Sequence, residues 1–122
     1  MTVTHATLAN NTGGAGYSPA SDQNFVFNTV IWGNTTAAFG SLATAVCNID
    51  QGGTAGPAID PLFASPGAGE NYRLLQGSPA IDACAAGLPR DLVNVPRPIG
   101  ALYDMGAYEI YFRYIYLPVT LR

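Results

Sequence analysis

Apolar residues fall in short clusters broken by Asn, Thr, Gly and Pro, and no apolar 3.6-residue period runs long enough for a helix. The pattern predicts short strands joined by turns. The clusters also repeat. Val3 to Thr12 (VTHATLANNT) aligns with Val26 to Thr35 (VFNTVIWGNT), placing Leu8 on Ile31, Asn11 on Asn34 and Thr12 on Thr35, 23 residues on. A weaker third copy, Cys47 to Gly53 (CNIDQGG), follows Asn28 to Asn34 (NTVIWGN) at 19 residues and places Ile49 on Val30 and Gly52 on Gly33.

A period near 20 residues suggests a solenoid, because one short strand cannot bury its apolar side chains alone whereas strands stacked about 4.8 Å apart bury a continuous core. Leu8 and Ile31 are then expected to face inward. Asn11 and Asn34 are expected to form a ladder at a turn, since Asn visits the left-handed region and its amide can bond the Asn of the next coil. The segments 13–20 and 37–45 read as variable turns. Two similar strands of a β-sandwich could give the same alignment.

The second half changes that balance. Asp60-Pro61-Leu62-Phe63, Tyr72-Arg73-Leu74, Gly77-Ser78-Pro79-Ala80-Ile81-Asp82, Asp91, Pro96-Arg97-Pro98 and Asp104-Met105-Gly106-Ala107-Tyr108-Glu109 stand in that order from residue 59 onward. Together these blocks resemble the C-terminal cap of bacterial right-handed parallel β-helix proteins, the pectate-lyase-like or polymorphic-outer-membrane-protein-like group that often carries a choice-of-anchor end. The run Asn28-Thr29-Val30-Ile31-Trp32-Gly33-Asn34 is similar to the coil sequence preceding that cap. The resemblance implies an all-β, right-handed single-stranded parallel β-helix, seen here as a C-terminal fragment with its cap. Residues 1–58 are expected to form coils, 59–109 the cap region and 110–122 an apolar aromatic tail strand lying over the last coil.

Asp60-Pro61 and Ser78-Pro79 read as turn initiators that stop the last coil. Asp82, Asp91, Asp104 and Glu109 invite a reading as a carboxylate cluster for acid–base work or calcium. Their neighbours are Gly, Pro and small residues, where a carboxylate typically caps backbone N–H groups, and the resemblance implies structure for them. Arg97, between two prolines, is expected to pair with one of them. In many relatives a cysteine stands where this chain has Tyr103 and pairs with the position of Cys84, which implies that Cys84 has lost that partner. Asn94 replaces the glycine of the family's turn and stays compatible with positive φ.

Composition narrows the chemistry. Hydrophobic residues make up 48% of the 122 and charged residues 11%, which excludes ordinary disorder. A net charge of -3 and a pI near 4.7 leave no basic footprint for nucleic acid. Lysine is absent, which removes Schiff-base and P-loop chemistry. Two cysteines, Cys47 and Cys84, are too few for a zinc framework, and the sequence leaves a disulfide and two buried thiols both open.

His5 is the single histidine and reads as an outward-facing strand residue, since no catalytic motif accompanies it. Leu117-Pro118-Val119-Thr120 looks like the opening of a sortase signal, but Leu121 stands where cleavage needs Gly. No stretch is long and apolar enough to span a bilayer, and no signal peptide opens the chain.

No catalytic, cofactor-binding or metal-binding residue is assigned. The expected function is that of a non-catalytic structural or surface-binding segment, extracellular or at the cell surface. Its partners would be upstream coils of the same protein and an extracellular glycan or protein met through exposed aromatics. The rival is the end of a polysaccharide lyase or glycoside hydrolase whose active face lies upstream. The first strands, Val3 to Ala9, begin without a cap and should offer unpaired backbone to another chain.

Overall fold

A computed structural model describes residues 1–13, 24–35 and 42–110, and they are almost entirely β and loop. The expected turn residues 14–20 and 37–41 and the tail 111–122 lie outside the described residues. Six short strands form three strand–corner–strand units: β1 (Thr2–Thr4) with β2 (Thr7–Ala9), β3 (Phe25–Phe27) with β4 (Val30–Trp32), and β5 (Thr44–Val46) with β6 (Ile49–Asp50). They stack into two parallel sheets, ordered β1-β3-β5 and β2-β4-β6. The register is that of the repeat: Leu8 lies beside Ile31 and Val30 beside Ile49.

The corner residues stack too. His5, Asn28 and Cys47 turn the chain between paired strands with φ of 49°, 51° and 59°. Asn adopts this conformation readily, whereas other side chains meet a cost of roughly 1–2 kcal/mol. The corner amides bond to side chains of the next unit: Ala6 N–H donates to Thr29 Oγ1 (3.4 Å) and Thr29 N–H to Asn48 Oδ1 (2.9 Å). At the far corner Asn11 donates from N and Nδ2 to Asn34 Oδ1, at 3.0 and 2.7 Å, and Asn34 Nδ2 donates to Leu8 O at 2.9 Å. The anticipated Asn ladder is present.

Between the sheets, Val26 and Ile31 are 1% and 2% exposed, with Leu8, Leu42 and Ala45 packed against them. This core is closed below β6 by Gly52–Pro57, which inserts Ala55 into it. Asp50 holds the plug by accepting the N–H groups of Gly52, Thr54 and Ala55, each at 2.9 Å. Asn48 Nδ2 bonds Val26 O and Ala55 O, and Asp50 N–H donates to Pro57 O. Gly56 passes against the Asn48 backbone so closely that a Cβ has no room.

Residues 59–110 pack elsewhere than the sequence suggests. They lie along the outer face of β2-β4-β6 and do not close the end of the stack. β7 (Phe63–Ser65) and β8 (Asn71–Leu74) pair antiparallel around a 3₁₀ turn, Gly67–Gly69. Phe63, Leu74, Ala80, Cys84 and Met105 then form a second core with Val30 and Ile49. Asp60 and Ser78 do initiate turns, accepting the N–H groups of Leu62 and Ala80.

The implied loss of a partner for Cys84 is corrected. Cys84 is disulfide-bonded to Cys47, with Cα atoms 5.7 Å apart, while Tyr103 pairs with it through backbone bonds. The bridge ties a stack corner to the covering segment across 37 residues of sequence. In the chain-entropy model, closing a loop of that size is worth roughly 4 kcal/mol. Among the described residues no helix is long and apolar enough to cross a membrane.

The plug makes Asp50 the most exacting single position. Asp50→Ala strands three amides and should lower stability by roughly 3 kcal/mol, given about 1–3 kcal/mol for each buried group left unsatisfied with partial relaxation. Asp60→Ala, which loses one bond at an exposed turn, should cost less than about 1 kcal/mol. Urea unfolding of both variants checks this, and equal losses would remove Asp50 from its role.

Candidate functional site

Two places carry the candidate groups: a partly buried polar cluster that gathers the sequence's candidate carboxylates, and the outward face of β1-β3-β5.

The cluster is built from loops, which supply no regular ladder for their own amides, so side chains take over. Asp91 Oδ1 accepts the N–H groups of Val93 and Val95 (2.9 and 2.8 Å) and Oδ2 that of Glu109 (3.0 Å). Asp104 accepts Asp82 N–H at 2.8 Å and Ile110 N–H at 2.7 Å. Glu109 accepts from Ile99 and Asp104, and Asp82 from Leu102. Asn94, with φ 68°, completes the turn that Asp91 caps. Each of the four carboxylates therefore holds backbone. Burial raises the Asp104 and Glu109 pKa values above the ordinary carboxylate range, with the nearby Asp82 adding to it for Asp104 and Asp104 for Glu109. Among the described residues no group of His, Cys, Asp and Glu is arranged to hold a metal ion.

Arg97 is the hub. It forms an ion pair with Glu109 (3.5 Å), and both side chains are 1% exposed. Its guanidinium also donates to Asp104 O (3.3 Å) and Gly106 O (3.1 Å) and meets the His5 ring at Nδ1. The expectation that His5 faces outward is corrected: it is buried at the first corner, its Nε2 is 2.9 Å from Asn28 Nδ2, and its ring leans on Tyr103. The sequence misplaced it because the histidine sits at the corner, one residue beyond the strand, where side-chain alternation stops. Gly87 belongs to the same packing, since a Cβ there would meet the His5 ring and Tyr103. This arrangement fastens the covering segment to the first two corners. Arg97, Asp104 and Glu109 are buried in it, whereas Asp91 is half-buried and Asp82 exposed.

The outward face of β1-β3-β5 is open among the described residues. On β3, Val26 points into the core, so Phe25 and Phe27 point outward, half-buried, with ring centroids 6.5 Å apart and planes 20° from parallel. Register sets Thr2 and Thr4 on one side of them and Thr44 and Val46 on the other. Phe27, Val46 and Cys47 form one wall of an open groove of about 350 Å³, and Ala85, Ala86 and Gly87 form the other. The groove carries no charged lining and suits an apolar side chain or the C–H face of a sugar ring. Sequence reading expected exposed aromatics but named none, and Phe25 and Phe27 are half-buried rather than exposed. The period-2 alternation of Phe25-Val26-Phe27 was the available signal, whereas small residues such as Ala85 and Ala86 give none.

Burial, assisted by the Arg97 charge, pushes the His5 pKa from 6.5 down to about 4. The unfolded chain takes up this proton near pH 6.5 and the folded chain only near 4. The His5 contribution to stability is thus complete above pH 6.5, falls through that window and levels off below pH 4. At 1.36 kcal/mol per unit the loss reaches about 3 kcal/mol. Asp104 and Glu109, whose values are raised, act in the opposite sense and favour folding as pH falls. Denaturant unfolding of the native chain and of His5→Asn, across pH 7.5 to 3.5, separates the terms. The two stability curves should diverge through the His5 window, and parallel curves would refute the assignment.

No family model, curated protein or solved structure matches this chain.

Proposed function

We propose that the chain is a non-catalytic terminal segment of a secreted or cell-surface right-handed parallel β-helix protein. Its work is to close the helix and to present a binding face. The observation that carries this reading is the unequal pair of ends. At one end Asp50 and Ala55 plug the core. At the other, Val3 and Leu8 stay partly exposed although they occupy the inward positions of Val26 and Ile31, and among the described residues no strand pairs with the outer edges of β1 and β2. A stack with one finished end and one unfinished end suits a terminus that receives coils. Right-handedness follows the strong preference of parallel crossover connections, about 98%. The Cys47–Cys84 disulfide supports an oxidising compartment. Phe25, Phe27 and Val46 mark the face offered to an extracellular glycan or protein.

A tandem chain in which residues 2–24 are duplicated ahead of β3 tests the stacking. The extra coil should raise both the urea midpoint and the unfolding slope, because a repeat gains stability from each neighbour and the slope follows buried area. Trimming of the added coil by protease back to the native length, with unchanged stability, would defeat the reading. The non-catalytic part is checked with uronic-acid polymers, with and without calcium. No unsaturated product should appear, and activity that follows the chain through purification would overturn it.

A further inference from the structure

The groove beside Phe27 contains a polar atom that the fold holds in place and leaves without a partner. Asn28, at the second corner, is 5% exposed. Its Nδ2 donates to Ala86 O at 2.6 Å and lies 2.9 Å from His5 Nε2, which fixes the amide from two sides. Among the described residues nothing donates to its Oδ1, and that oxygen stays within reach of solvent. Asn28 lines the groove of about 350 Å³, so the free acceptor is offered to whatever enters there. The opposite wall adds donors. Ala85, Ala86 and Gly87 are exposed, and their N–H groups have no acceptor among the described residues. Phe27 and Val46 supply the apolar side of the same groove.

These groups discriminate among ligands. An ionised sugar would give up water for walls that carry no counter-charge, and its carboxylate would face the lone pairs of Asn28 Oδ1. An apolar side chain would cover Oδ1 and leave it dry, which is unfavourable for a buried acceptor. A neutral sugar ring meets both demands, because its C–H face is apolar while each hydroxyl at its rim both donates and accepts. We propose that the groove binds a neutral sugar unit of a glycan chain. Its C–H face lies against Phe27 and Val46, one hydroxyl donates to Asn28 Oδ1, and others accept from the Ala85–Gly87 wall. The inference rests on reading this surface as the binding face and names what that face selects. Phe25, with its ring centroid 6.5 Å from that of Phe27 and its plane 20° from parallel, gives the next unit of the chain a second apolar contact. The groove is at the small end of ligand clefts, roughly 300–1,000 Å³, which suits a short stretch of glycan better than a globular partner.

Electrophoresis of the full chain through gels containing hydroxyethylcellulose, galactomannan or dextran, with polygalacturonate as the acidic counterpart, tests the selection. At least one neutral polymer should retard the chain, and polygalacturonate should not. An oligosaccharide of the retarding polymer should shift the side-chain amide resonances of Asn28 and the backbone amides of Ala85, Ala86 and Gly87. Phe27→Ala should weaken binding by about tenfold or more. Ala86→Glu fills the groove from an exposed position, so it remains informative if Phe27→Ala unfolds, and it should abolish retardation. Three results would each overturn the proposal: no retardation by any neutral polymer, retardation by polygalacturonate of equal strength, or neutral binding indifferent to Ala86→Glu. Binding of polygalacturonate alone, lost in Ala86→Glu, keeps the binding face and sinks the neutral-sugar assignment. The tandem-coil chain decides the terminal-segment reading separately.

Discussion

Val30 and Ile49 are buried from one side of their sheet while Ile31, one residue along, is buried from the other, so β4 has no solvent face. Much else follows from this two-sided burial. Units of two or three residues per strand cannot hold a stable sheet by backbone pairing alone. Each fully buried Val or Ile contributes about 1.5–3 kcal/mol of transfer free energy, and β4 collects it on both faces while β6 adds Ile49 on one. The covering segment has little regular structure to stabilise it, and it keeps its place because its Phe63, Leu74 and Met105 have this sheet to pack on. Neither layer has an adequate core without the other, and the Cys47–Cys84 bridge joins them where they meet.

Burying loops creates the second requirement, since each interior amide must find an acceptor. The chain meets it with side chains: Asn48 and Asp50 in the stack, Asp91, Asp104 and Glu109 in the covering segment. A carboxylate suits this task because one group accepts several N–H donors at once. The cost is desolvated charge. Arg97 meets part of it through Glu109 and donates to the carbonyls of Asp104 and Gly106, while its buried Nε has no hydrogen-bond partner among the described residues. A buried ion pair of this kind adds little net stability, because desolvation offsets most of the attraction. What it fixes is geometry, holding residues 97, 104, 106 and 109 against the corner at His5.

The stack was legible in the sequence because its determinants are local and periodic. Offsets of 23 and 19 residues carried the strand register, and Asn11 with Asn34 carried a corner. Arg97 with a carboxylate was legible from the chemistry of the side chains. What escaped was non-local. Nothing in Asp60-Pro61 says whether the chain that follows closes an end or turns along a side. That outcome depends on β4 being apolar on both faces, and Val30-Ile31-Trp32 reads equally well as a strand beneath a cap. Asp50 was passed over for a related reason. Asp followed by Gln-Gly-Gly signals a turn, but the three amides it collects are set by how Ala55 seats in the core. His5 needed knowledge of the corner, and the Cys47–Cys84 pairing needed the spatial neighbourhood of 47 and 84.

The two sheets share an architecture and differ in what covers them, and the outward aromatics register that difference. Trp32 on β4 and Phe25 and Phe27 on β3 occupy outward positions of adjacent strands in one unit, yet only the first is packed against the second core. Solvent-facing positions of a sheet are well served by Thr, which has high β-propensity, and Thr2, Thr4 and Thr44 stand there on the flanking strands. Mutual stacking of the two rings returns about 0.5–1.5 kcal/mol, enough to order them but less than full burial of either ring would give. They stand beside a groove walled by Val46 and Ala86, and on the function proposed above this is the surface where a C–H face or an apolar side chain would complete the burial that stacking leaves unfinished.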